Sequence, residues 1–431
     1  MPLITALFYI SMGLIWFLVI YQFILTLGGL TLFRKSLRER ATILDNLTDL
    51  PRITILVPAH NEEMVIERTI EHLLGLNYPT DRLGVLVIDD ASTDKTLEIL
   101  RRLEKLDSRL RIYHRSPEVG GRGKAAALNA VLPYIESDFI AIYDADNCPE
   151  PDALKLLMAR FMINPDLGAV VGKFRTGNKR KNILTRFINI EGLCFQNVVQ
   201  SGRWQILGVA ALSGTNYIIR RQVLEALGGW DEEALAEDSE LSIRMYQHGY
   251  QIAFVPYSAS WEQEPETFKV WVKQRTRWAR GNNYAIAKLV RNFRASQSKC
   301  QAIEMLFTLL VPYCFLFAVT ISYFILILSL CQVQIVKVPF FISAFWIAAL
   351  FVYLAEMAMV LSYDEEHSWL NLLISFIMYF SYCQMWLIPV IRALYADCIR
   401  RDKRIWDKTV RFDTEIKVRD GAIIKSRSFS R

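Results

Sequence analysis

Apolar and polar positions follow two different rhythms along this chain. From Leu3 to Phe33 no charged residue occurs, a run long enough to cross a bilayer with some tilt. Arg34, Lys35, Arg38 and Arg40 follow at once, and neither a basic leader nor a small-residue cleavage site marks the run as removable. It reads as an anchor, with Met1 outside and the polar region after it in the cytosol. Further on, Met305–Val336 and Ser368–Ile391 carry no charge, and Val338–Tyr363 carries only Glu356. These read as three membrane segments, not all of them fully spanning.

Between the anchor and these segments the period changes. Short β-branched runs alternate with helical spacing: Ile53–Pro58, then Val65, Ile66, Ile70 and Leu73–Leu74 on one helix face; Gly84–Asp90, then a helix capped from Ser92–Asp94 and running towards Leu106. Leu110–His114 predicts a third strand, Lys124–Leu132 a helix, Phe139–Tyr143 a fourth strand and Ala169–Gly172 a later one. Asn182–Val199 is partly apolar and reads as a segment near the membrane or as an acceptor platform. Strand–helix alternation predicts an α/β, doubly wound sheet with its ligands beyond the carboxyl ends of the strands. The expected domains are an anchor at 1–33, a cytosolic domain at 34–300, membrane segments at 301–396 and a basic tail at 397–431.

Composition sharpens this picture in few places. Of 431 residues, 52% are hydrophobic and the mean hydropathy is +0.21, which fits membrane segments joined to a polar domain. A formal net charge of +6, with Arg and Lys beside apolar runs, suits a membrane surface; no nucleic-acid motif accompanies it. Seven scattered Cys form neither a CxxC pair nor a disulfide framework and read as small core residues in a reducing compartment.

The chemistry-bearing residues collect at predicted strand ends. Asp89–Asp90 ends one strand, Asp144-x-Asp146 another, and Glu237–Asp238 opens a helix whose dipole favours acids in its first turn. Two carboxylates on one turn can share a divalent cation, and Mg²⁺ or Mn²⁺ prefers such oxygen ligands completed by substrate phosphates. A carboxylate within reach of a hydroxyl can act as general base. Gly120–Lys124 has the look of a phosphate-cradling loop without P-loop spacing. Gln274-Arg-Thr-Arg-Trp278 combines an amide, two cations and an indole, able to grip phosphate and stack on a flat apolar face. Taken singly, each is also what a helix cap, a solvated turn or a basic helix face would show.

Taken together, these motifs resemble the membrane-embedded family 2 glycosyltransferases, which include cellulose, hyaluronan and poly-N-acetylglucosamine synthases. The resemblance is close over about residues 50–285 and looser in the membrane segments. It implies a GT-A-like domain set between an N-terminal transmembrane helix and C-terminal membrane helices. It further implies a donor site of Ala59, His60, Glu62, Asp90, Lys124 and Asp144, with Asp90 on the uracil base and Asp146 as the Mg²⁺ or Mn²⁺ ligand. Asp238 would be the general base, and Glu237, Gln274, Arg277 and Trp278 the acceptor and diphosphate edge. Ala236 departs from the Thr-Glu-Asp usual there. Trp406, Lys408, Thr409 and Arg411 resemble a basic lid over the bound nucleotide; a strip lying on anionic lipid is the other reading. Glu356 would face a glycan path or hydrogen-bond between helices.

The implied activity is inverting transfer of GlcNAc or Glc from a UDP-sugar to a growing β-linked polysaccharide at the cytosolic face of a bacterial inner membrane, coupled to translocation. The expected partners are the UDP-sugar, a glycan or lipid acceptor, the membrane and a small accessory membrane subunit, but no nucleic acid. Non-processive glycosylation of a membrane lipid, and a nucleotide-sensing transporter without transferase activity, are the alternatives. The cation cluster from Arg392 to Arg411 keeps the tail cytosolic. That makes one later segment non-spanning, and Met305–Leu330, interrupted by Pro312, is the expected one.

Overall fold

The β-branched runs form strands whose buried faces are nearly continuous, as expected of strands covered on both sides. The computed structural model describes residues 2–45, 47, 49–331, 340–404 and 408–412. The strands are β1 (Ile53–Ala59), β2 (Leu83–Asp90), β3 (Leu110–Arg115), β4 (Phe139–Ile142), β5 (Cys148–Pro149), β6 (Leu167–Thr176), β7 (Tyr217–Arg220) and β8 (Gln251–Glu262). They form one sheet in the order β3-β2-β1-β4-β7-β6-β8-β5. The first four strands are parallel, as the alternating pattern predicts. Beyond them the sheet is mixed, because β7 runs antiparallel to both β4 and β6, and β6 pairs with β8 in parallel. Separate apolar clusters fill its two faces: Leu56, Ile88, Ile142 and Tyr246 on one, Ile55, Val57, Val87 and Ala141 on the other.

The N-terminal helix does not stop at Phe33. It runs from Pro2 to Asp45, and the pair Lys35–Glu39, four residues apart at 3.6 Å, lies on its polar end. Small residues let it approach the domain closely. A Cβ on Gly29 would come within 2.1 Å of the Asn197 carbonyl, and one on Gly202 within 2.3 Å of the Leu25 carbonyl. The partly apolar segment expected near the membrane is the helix Ile183–Cys194, which Asn182 starts with a capping box. Its Phe187, Ile190 and Leu193 pack with Leu25, Met357, Leu361 and Met378 of the apolar helices.

Two helices among the described residues are long and apolar enough to span a membrane, Ile4–Ser36 and Lys299–Ile325. The helix Lys299–Leu330 runs unbroken through Pro312, which corrects the expectation that this segment is the interrupted one. The interruption lies in the last apolar segment, where Trp369–Phe380 and Tyr382–Arg400 meet at a 43° bend. That segment touches the sheet domain along its length. Asn371 shares a cavity wall with Lys179 and Asn189, the Trp386 indole donates to Glu191 at 2.6 Å, and Arg280 donates to Asp397 at 2.8 Å. The preceding helix, Phe340–Tyr363, also returns to the domain, where Asp364 accepts from Lys173 at 2.7 Å and from Asn197 at 2.6 Å.

Candidate active site

The strand ends deliver their acids to one rim. Asp90 is buried at the end of β2, and Arg115, its register partner on β3, donates to it at 2.7 Å. At the end of β1, the His60 ring lies 2.7 Å from the Asp90 carbonyl through Nδ1, while the Asn61 amide lies 3.2 Å from Nε2. Both ring nitrogens are engaged, so the ring is fixed in orientation. Ala59, behind it, is buried. Gly120 must remain glycine, since a Cβ there would meet that of Ala91 at 2.7 Å and Asp90 Oδ1 at 3.1 Å. The loop before Lys124 therefore lies directly on the Asp90 carboxylate.

Lys124 then ties three elements together. Its ammonium donates at 2.6 Å to Asp144 and to the Gly214 carbonyl, and lies 3.2 Å from Glu237. Burial alone would lower its pKa, but Asp144 and Glu237 outweigh this and hold it protonated. Among the described residues Asp238 accepts a single hydrogen bond, from the Ser239 backbone N–H at 2.7 Å. Burial first and the Glu237 charge second push its carboxyl up to about 7, against the pull of Lys124. A proton affinity near neutrality is what a general base working at that pH needs. Gly214, at φ +78°, lies so near that a Cβ would come 3.2 Å from Asp238 Oδ2.

The alanine at position 236 has a packing reason. It is the N-cap of the helix Glu237–Gln247 and offers no side-chain cap. The helix Phe268–Asn292 crosses there so closely that a Cβ on Gly281 would fall 2.5 Å from that of Ala236. A larger hydroxyl residue would have to displace this crossing, so the acid-rich helix start relies on packing and the helix dipole instead of a cap.

Within Gln274–Trp278 the two arginines part company. Arg275 is buried, donates to Glu191 at 2.8 Å and to Gln274 at 2.8 Å, and lies over the Trp278 ring at 4.0 Å. It is an internal tie, and it covers one face of the indole. Arg277 turns the other way, donating to the Leu235 carbonyl at 3.3 Å, in the field of Glu237, Asp238 and Asp144. Its buried Nε has no partner among the described residues, which leaves a donor to offer an anion.

The tail reaches the opposite side of the rim. Trp406 lies outside the described residues, but 408–412 are placed. Lys408 lies 3.2 Å from Glu62 and also donates to the Asn61 carbonyl; Arg411 donates to Asp146 at 2.8 Å. Gln263 clasps the strip, donating to the Phe412 carbonyl and accepting from its N–H, both at 2.7 Å. Burial pushes Glu62 up to about 7 even with Arg411 and Lys408 beside it. Burial and mutual repulsion likewise raise Glu262, whose neighbours include Glu264, Asp146 and Asp144. These hard oxygen donors suit a divalent cation, which at Asp146 would displace Arg411 from Oδ1. Among the described residues no group of three or more side chains forms a ready metal cage, so such a cation would be completed by substrate oxygens, as Mg²⁺ commonly is.

A family model described as "glycosyltransferase like family 2" matches residues 51–281, which include every strand-end acid above and Gln274–Trp278. The chain belongs to glycosyltransferase family 2. The transferase is 40% identical over 413 residues to "Probable glycosyltransferase YdaM" of Bacillus subtilis, covering 95% of this chain and 98% of that protein. It is 36% identical over 232 residues to a beta-monoglucosyldiacylglycerol synthase of Nostoc sp., covering 54% of this chain and 49% of that one. A poly-beta-1,6-N-acetyl-D-glucosamine synthase of Staphylococcus aureus is 29% identical over 255 residues, covering 59% of this chain and 60% of its own. The transferase thus spans about half the length of the lipid synthase it matches. Among solved structures, a mannosyltransferase from Pyrobaculum calidifontis in complex with GDP-Man and Mn²⁺ superposes with a TM-score of 0.59 at 22% identity, covering 90% of this chain and 99% of that one. The fold is therefore GT-A-like.

Sequence reasoning missed several residues of this site. Arg115 was findable, because parallel register sets it opposite Asp90. Gln263 follows the end of β8, where a doubly wound sheet places its ligands. Glu191 carries no local motif; only the tertiary packing of its helix on Arg275 and Trp386 reveals it.

Proposed function

We propose that this transferase moves a hexose, GlcNAc or Glc, from a UDP-sugar to a growing β-linked polysaccharide at the cytosolic membrane face, with inversion and coupled to translocation. The observation that carries this reading is Asp238, a carboxylate raised to about 7 and set beside Glu237 and Arg277 at the rim of the sheet. Asp238 takes the proton of the acceptor hydroxyl as its oxygen attacks the anomeric carbon. The bond from that carbon to the diphosphate oxygen breaks on the opposite face, and UDP leaves. Arg277 steadies the diphosphate, and Trp278 offers the face opposite Arg275 to the acceptor sugar. Asp90 and the fixed His60 ring hold the base, while Lys124 keeps Asp144 and Glu237 in place. Asp146, with Asp144, would hold a divalent cation, which when bound offsets the negative charge of the departing diphosphate.

Membrane topology is part of the proposal. The anchor brings the chain in, Lys299–Leu330 and Phe340–Tyr363 form an out-and-back pair, and the bent segment 369–400 lies in the interface beneath the domain. A second reading, glucosylation of a membrane lipid, is favoured by the 36% identity to a beta-monoglucosyldiacylglycerol synthase. A transporter that only senses nucleotide is disfavoured by membership of a transferase family. Purified protein given UDP-GlcNAc or UDP-Glc with Mg²⁺ or Mn²⁺, with and without diacylglycerol, is expected to release UDP and form product. Long product supports the polysaccharide and a single-sugar lipid the second reading; no UDP release from either donor would overturn both.

A further inference from the structure

Away from the transfer site, a cavity of about 250 Å³ opens between the loop that starts the helix Ile183–Cys194 and the loop that starts the helix Trp369–Phe380. Among the described residues, Lys179, Arg180 and Arg186 line it, with Glu366 as the one carboxylate on its wall. Lys179 is paired with Glu366 and Arg180 is engaged as well, so Arg186 is the cation on which the site depends. The helix Trp369–Phe380 begins at this cavity with its positive dipole end, while the helix Ile183–Cys194 reaches the wall further along, through Arg186 and Asn189. Ser368 adds a hydroxyl to its wall, while the Asn371 amide, also on the wall, already donates to the Glu366 carbonyl at 2.8 Å. The chemistry is that of a site for a tetrahedral oxyanion.

The lip of the cavity says where that anion comes from. Trp369, the first residue of its helix, is 88% exposed, and Leu370 and Leu373 are also exposed. A bare indole beside aliphatic side chains belongs at the headgroup level of a membrane. Phe33, at the end of the uncharged anchor run, stacks on Tyr363 at 4.5 Å, which fixes that level just before the cavity's own loop. We propose that this cavity binds the phosphate of an anionic membrane lipid, clamping the sheet domain and the interfacial helix to the bilayer at one point. Basic pockets of this kind at the cytoplasmic side of membrane helices suit anionic headgroups.

The test is lipid retention by the full-length protein. Wild type is reconstituted in nanodiscs of phosphatidylcholine with one-third phosphatidylglycerol, extracted into mild detergent, and its tightly held lipid counted by mass spectrometry. Wild type is expected to keep phosphatidylglycerol in preference to phosphatidylcholine, and Arg186→Ala to keep about fivefold less, the effect of one cation near a membrane surface. Glu366→Gln is expected to keep more, because it removes the opposing charge and releases Lys179. A variant that merely damaged the fold would not gain lipid, so this change of sign separates binding from misfolding. Equal retention in wild type, Arg186→Ala and Glu366→Gln would overturn the proposal. So would release of the retained lipid by inorganic phosphate at the lipid's own concentration, which would mark a general anion site.

Discussion

Among the described residues no side-chain donor bonds Asp238, and Lys124 spends its own bonds on Asp144 and Gly214. A carboxylate so placed keeps a free oxygen for an acceptor hydroxyl. Asp238→Asn should therefore retain UDP binding and lose on the order of a hundredfold or more in transfer, because an amide cannot take the proton; near-normal turnover would remove Asp238 from the role. The pH dependence has a defined sign. Folded Asp238 gives up its proton only near 7, whereas an unfolded carboxyl does so near about 4. Its contribution to stability is therefore present at acid pH and is lost as pH rises through 7. The rate of the wild type should climb over the same range. Thermal melting of ligand-free protein should show Asp238→Asn gaining on the wild type between pH 5 and pH 8, and parallel curves would refute the raised pKa.

At the scale of elements, the catalytic half was largely legible and the joints were not. Strand-end acids can be placed from sequence because a parallel strand announces itself by its apolar run and its ligand end by polarity. β7 escaped notice because four residues, Tyr217–Arg220, leave no period to read, and with it the mixed character of the sheet. The two arginines of Gln274–Trp278 look alike in sequence, yet helical spacing sends Arg275 inwards to Glu191 and Arg277 to the acids. Glu191 is the joint that no pattern shows. It accepts from Arg275 at 2.8 Å, Tyr382 at 2.8 Å and Trp386 at 2.6 Å, tying the domain to the bent last segment. Glu191→Ala would leave the Arg275 guanidinium buried and unpaired, a loss of about 3 kcal/mol or more. Its melting temperature should fall by several degrees, with Glu191→Gln recovering part of the loss. The tail is a joint of another kind: with Lys408 on Glu62 and Arg411 on Asp146, Lys408→Ala combined with Arg411→Ala should reduce turnover more than it reduces the amount of folded protein. Unchanged turnover at normal protein level would leave the strip without a part in transfer.

Across the whole molecule, the charge rule and the count of apolar segments conflict, and the geometry suggests how they are reconciled. Four full spans would put the two chain ends on the same side of the membrane, outside, together with the cations at Arg392, Arg400, Arg401, Lys403 and Arg404. With the segment 369–400 held against the domain by Glu191, Arg280 and Asn283, those cations stay with the domain. Hydropathy could not show this, because a helix lying in the interface with one apolar face exposes as many leucines as one that crosses. Pro312 misled for a related reason, since a proline inside a membrane helix is tolerated when its neighbours pack around it. Native cysteines can test the arrangement without adding new ones. Lys299–Leu330 has 32 residues, about 48 Å of helix at 1.5 Å per residue, enough to carry Cys331 past a hydrocarbon core of about 30 Å. Cys300 at its start and Cys398 in the bent last segment are also exposed, and the proposed topology puts both on the domain side. A membrane-impermeant maleimide applied to intact cells should therefore label Cys331 alone of these three, and label Cys300 and Cys398 only after the cells are opened. Labelling of Cys398 in intact cells would turn the last segment into a true span and take the tail, with Lys408 and Arg411, away from the active site.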